Sequence, residues 1–154
     1  MCVTTKMKSI ISLLLSVCAL IIGCGSTTIS MQKEQNEITE FMTKYINACL
    51  TYNYEIERSS VKGMLAQSEM FNSEEEYKKT VLSEENQKWL NFLRTAKIQK
   101  IDAYEDSAGV VLESPVTYLG IQRHKIILNK FDDDKWYIIE FHSFLDTDWE
   151  KYEK

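Results

Sequence analysis

The chain is poor in the signatures that chemistry leaves in a sequence. It has no glycine-rich phosphate loop, no G-x-S-x-G elbow and no H-E-x-x-H pair, and no cysteine/histidine set at metal-ligand spacing. Two histidines in 154 residues are scant material for acid–base or metal work, so no cofactor and no metal are expected. Basic charge is short as well, with 18 lysines and arginines against 23 aspartates and glutamates. Nucleic acid and anionic headgroups want basic patches, so neither is an expected partner. Repeats and low-complexity tracts are absent. So is a membrane-spanning run: the longest apolar stretch, Ile10 to Ile22, is 13 residues broken only by Ser12 and Ser16. Crossing about 30 Å of hydrocarbon takes about 20.

What that stretch does have is the form of a secretory signal. Lys6 and Lys8 precede it, and an apolar core of this length behind a positive front suits export. Its end, LIIGC, resembles the lipobox of bacterial lipoproteins, with Ile21, Ile22 and the small Gly23 before Cys24. The resemblance implies cleavage after residue 23 and a diacylglycerol group on the Cys24 thiol. An ordinary cleaved signal with an incidental cysteine is the alternative. Each buried methylene contributes about 0.8 kcal/mol, so one acyl chain holds marginally while two or three hold firmly. The expected location is the cell membrane or the outer membrane, with the domain outside the cytoplasm. Gly25 is not the aspartate that retains many lipoproteins in the inner membrane. MKSII at Met7 also reads as a more usual start than MCVTTK.

Loss of residues 1–23 would remove Cys2, Cys18 and both lysines, leaving 131 residues with 16 basic and 23 acidic side chains, a net charge of −7. That length suits one domain. With Cys24 lipidated, Cys49 is alone and no disulfide framework is expected.

Residues 24–35, small and polar after the cysteine, read as a tether, and the domain is expected over 36–154. Ile38, Phe41, Met42, Tyr45, Ile46, Cys49 and Leu50 recur at three- and four-residue intervals, which predicts an amphipathic helix to about Tyr54. Cys49 falls on that stripe as a buried thiol. Ser59 or Ser60 then reads as the cap of a brief helix weakened by Gly63. Ser73 with Glu76 forms a capping-box pattern, opening one helix or two broken near Ser83. After Ala96 four runs rich in β-branched and aromatic residues follow, KIQKIDAYED, GVVLESPVTYLG, IQRHKIILNKF and KWYIIEFHSF. Asp132 to Asp134 read as a hairpin turn, and Pro115 must sit at a strand's edge, start or bulge. Alternation along the last strand places Tyr137, Ile139 and Phe141 on one side, with Trp136, Ile138, Glu140, His142 and Phe144 on the other.

Helices first and an antiparallel sheet afterwards is an α+β order. Three helices, then a four-stranded meander whose last hairpin reads FDDDKWYII, resemble the NTF2-like superfamily of cone-shaped, cystatin-like domains. Asp134, Lys135 and Trp136 stand where many members have an acidic turn, a lysine and a tryptophan. The resemblance implies N-terminal helices packed on a curved antiparallel sheet of about four strands. A cystatin-type single helix on a sheet is the alternative. Such folds host isomerases, dehydratases, inert pockets and dimerisation modules, so the site must decide function.

Glu140 and His142, about 7 Å apart on one face of a strand, are the weak catalytic candidates, with Tyr118 or Tyr104 as hydrogen-bond donor. The plainer reading makes them solvent-facing. Trp136 and Tyr118 are the ligand-binding candidates, against a first expectation of core packing for Trp136, Phe141, Trp89, Tyr45 and Phe41. His124, between Arg123 and Lys125, reads as part of a solvated or edge-protecting face. Trp149 and Tyr152 suit contact with a partner. The leading expectation is a lipid-anchored, non-enzymatic domain that binds a protein partner or a small apolar ligand, with a homodimer among the outcomes. The alternatives are a pocket enzyme of isomerase or dehydratase type, and a component of a conjugation or secretion assembly.

Overall fold

The computed structural model describes residues 30–143. Cys24 and the expected signal segment before it, and the tail aromatics Trp149 and Tyr152, lie outside the described residues. The chain divides into two units, Met1–Asn36 and Glu37–Lys154. Of the first, the described residues 30–36 are helical. Part of the expected tether is therefore helix: MQKEQ is made of good helix formers, and the Gln32 amide donates to Asn36 four residues on, 3.2 Å away.

The second unit is α+β, helices followed by a four-stranded antiparallel sheet. Helix α1 covers residues 30–51 and buries Ile38, Met42, Tyr45 and Cys49 of the expected stripe together with Ala48, while Phe41, Ile46 and Leu50 are partly buried. It stops sooner than its pattern suggests. Tyr52 takes a left-handed φ of 56°, and the Asn53 side chain accepts from the Ile56 N–H to cap a second helix, α2 (Tyr54–Ser60). Ser60 thus ends a helix rather than starting one, and Val61 makes a parallel bridge to Ile138. Two 3₁₀ turns, Leu65–Gln67 and Glu69–Phe71, lead on to α3 (Glu74–Val81) and α4 (Glu84–Thr95). Ser73 and Ser83 cap these two, accepting from Glu76 N–H at 3.1 Å and Asn86 N–H at 3.3 Å.

The strands run in sequence order as a meander: β1 (Lys97–Tyr104), β2 (Ser107–Tyr118), β3 (Ile121–Lys130) and β4 (Trp136–Ser143). Leu119 and Gly120 connect β2 to β3 with φ of 54° and 78°, the left-handed pair that a two-residue hairpin turn requires. Asp134, at φ 57°, closes the last hairpin by donating its N–H to the Phe131 carbonyl at 2.8 Å. Pro115 lies within the irregularity between Glu113 and Tyr118, where no ladder donor is needed.

One face of the sheet meets the helices. Residues directly paired across strands share a face, so Ala108 with Leu128 and Val110 with Ile126 define the inner side. Leu90, Phe92 and Leu93 of α4, Tyr77 and Val81 of α3, and the α1 stripe close over them to form the core. Among the described residues no helix is long and apolar enough to cross a membrane.

Candidate functional site

The register of β4 decides which of its side chains face the helices. Leu128 pairs with Ile138 but Ile127 pairs with Glu140, which leaves Ile139 as an extra residue. A bulge of one residue reverses the in–out alternation beyond it. Trp136 and Ile138 point inward before the bulge. After it, Phe141 and Ser143 pair with the inward Ile126 and His124, while Glu140 and His142 pair with Ile127 and Lys125 on the outer face. Glu140 and His142 do lie together, Nε2 to carboxylate oxygen 3.2 Å, but they are half exposed and away from the helices. The unbroken alternation expected for this strand is therefore corrected.

Between α1, α2, the 3₁₀ turns, α4 and this inward end of the sheet lies a cavity of about 270 Å³. Its wall is aromatic. Trp89 of α4 sits 5.2 Å from Tyr118, 5.6 Å from His124 and 6.1 Å from Phe141, ring centre to ring centre. The Phe141 and His124 planes stand at 81° and 77° to the indole, edge-to-face arrangements that rings favour. Phe92 stacks under Trp89 at 5.1 Å and supports it from the core. Met70, Phe71 and Leu65 form the helical side.

The cavity also holds a carboxyl. Glu57 of α2 is only 5% exposed, accepts a hydrogen bond from the Tyr77 hydroxyl, and has the Cys49 thiol within hydrogen-bond reach. Burial raises its pKa, and the Tyr77 and Cys49 hydrogen bonds oppose that rise only in part. Burial likewise pushes up Cys49, so it is a protonated thiol at neutral pH and a poor nucleophile. Tyr45 and Tyr77 are raised by burial too.

His124 is 3% exposed, not part of a solvated or edge face: β3 is an inner strand, and its odd-numbered neighbours Arg123 and Lys125 take the other side. The Ile121 carbonyl, 3.3 Å from Nε2, can only accept, which assigns the proton to Nε2 and leaves Nδ1 to accept from the Ser143 hydroxyl at 3.0 Å. Burial lowers its pKa, so the ring is neutral. Arg123 turns outward to Glu113, 3.2 Å away.

Of the residues singled out from sequence, Tyr118 lines the cavity. Trp136 is buried in the core beyond it, with the Lys130 ammonium 5.5 Å from its ring, and does not reach the cavity. Tyr104 is exposed at the end of β1. Sequence reasoning missed Glu57 altogether. Counting on by fours from Tyr45 and Cys49 arrives at it, but the chain leaves the helix at Tyr52, so no unbroken periodicity marks it. Among the described residues no group of acidic, cysteine or histidine side chains could hold a metal ion. No protein-family model, no curated protein and no solved structure matches the chain.

Proposed function

We propose that this protein is a lipid-anchored, extracytoplasmic binding domain of NTF2-like type, and that it holds a small, largely apolar ligand in the cavity. The cavity carries this reading: about 270 Å³ walled by Trp89, Tyr118 and Phe141, enough for a small molecule, with a few polar groups to orient it. The helix-then-meander order supports the superfamily resemblance, and the signal ending at Cys24 supports the anchor. Binding without turnover fits the chemistry of the wall. The thiol is protonated, the histidine is neutral with both nitrogens engaged, and the Glu140–His142 pair is on the far face.

Native mass spectrometry of the mature chain, purified without added ligand, tests the reading. A co-purifying mass of a few hundred daltons that is lost on Trp89→Ala supports it. A bare chain that takes up no compound from a fragment library refutes it.

A further inference from the structure

The cavity holds a buried carboxyl and, among the described residues, no basic side chain to pair with it. Among the described residues Glu57 is the only carboxyl that lines the space, and no lysine or arginine does. The partners of Glu57, the Tyr77 hydroxyl and the Cys49 thiol, are both neutral, and no basic residue among those described forms an ion pair with it. A buried carboxyl without a counter-charge is unfavourable to keep, and removing it in favour of an apolar side chain usually stabilises a fold. The rings of Trp89, Tyr118 and Phe141 line the same space, and the negative π density of an aromatic face attracts a cation. His124 contributes no positive charge, since burial disfavours the charged ring. Beyond the cavity the chain as a whole is negative, with a formal charge of −5, and its field draws cations rather than anions.

We infer that the cavity's ligand is a small organic ammonium ion, its charged group against the Glu57 carboxyl and its body among Trp89, Tyr118 and Phe141. This rests on the binding function proposed above and names the chemistry of its ligand. The ammonium supplies the missing counter-charge, so Glu57 ionises in the complex and its proton passes to solvent. The aromatic faces add a cation–π attraction that a neutral molecule of the same shape cannot obtain. Free amines and the ammonium headgroups of lipids share this chemistry.

Isothermal titration calorimetry on the full chain, solubilised in the uncharged detergent dodecyl maltoside, tests it with paired probes. Choline is compared with 3,3-dimethylbutan-1-ol, and benzylammonium with benzyl alcohol; each pair differs by one charge at nearly constant shape. At least one ammonium probe is expected to bind at least about tenfold more tightly than its neutral counterpart, with the preference lost in Glu57→Gln. Glycerophosphocholine separates the two sources. Binding as tight as choline's points to a lipid headgroup, and exclusion while choline binds points to a free ammonium. Neutral probes that bind as well as the charged ones overturn the ammonium inference and leave the binding function standing. So does a charge preference that survives in Glu57→Gln. If no probe of either kind binds, both fail. The wild-type comparison of paired probes decides the matter even if the variant does not fold.

Discussion

Glu57→Gln should make the fold less sensitive to pH, in a direction that the burial of this acid dictates. The carboxyl is 5% exposed and its pKa is raised above the ordinary 4.5, with desolvation the largest cause. A raised acid binds its proton more tightly folded than unfolded, so its favourable contribution is complete below about pH 4.5 and is lost as pH rises through the folded value. Each unit of pKa elevation amounts to about 1.4 kcal/mol of lost stability once both states are ionised. Glutamine has the same shape and still accepts from the Tyr77 hydroxyl, so at pH 4 the variant should lie within about 1 kcal/mol of wild type. As pH rises from there the variant should gain on wild type until the folded value is passed, and then keep the gain. The groups facing Glu57 do not blur the comparison: Cys49 and Tyr45 of α1 and Tyr77 of α3 are all raised and stay neutral over this range. Urea melts of both proteins at half-unit pH steps, followed by circular dichroism, would measure the difference. A difference that is flat with pH, or one in which wild type gains as pH rises, would refute the burial argument, since either requires a carboxyl no harder to ionise in the folded protein than in the unfolded chain.

Three further outcomes can be checked. Phe92→Ala empties a site that is 0% exposed beneath Trp89, and it should cost about 3–5 kcal/mol in chemical denaturation. It should also weaken ligand uptake, because Trp89 loses its support. Glu140→Gln with His142→Ala should change stability by less than about 1 kcal/mol and leave cavity binding intact, since the pair is a half-exposed contact on the outer face. A large loss of binding would show that the bulge at Ile139 is misplaced. Cys24→Ser should abolish incorporation of labelled palmitate and shift the protein from the membrane to the soluble fraction. Retention in the membrane would mean that the signal is read in another way.

Much of the fold was legible in the sequence. The stripe from Ile38 to Cys49, the serines at 73 and 83, and the four β-branched runs correspond to α1, two capped helices and the meander. These are local signals, set by the 3.6 and 2.0 residue periods and by side chains that bond their own backbone. The aromatic cavity wall was half legible. Tyr118, Trp89 and Phe141 stood out by size, but a ring at core spacing looks the same whether it fills a core or lines a gap. The carboxyl at the centre was not legible, because Glu57 sits in a short polar helix, YEIERSS, whose composition suits a solvated face.

By itself the sequence determined the α+β order, the acidic balance, the lone Cys49 in the domain and the helix starts at Ser73 and Ser83. Tertiary structure alone decided which side chains share the cavity. The break at Tyr52 turns Glu57 inward, against Tyr77 of a later helix. The extra residue at Ile139 sends Phe141 inward and Glu140 with His142 outward. Both depend on how one element is registered against another. Neither leaves a periodic trace, because a one-residue offset is fixed by packing between segments and not by the residues that carry it.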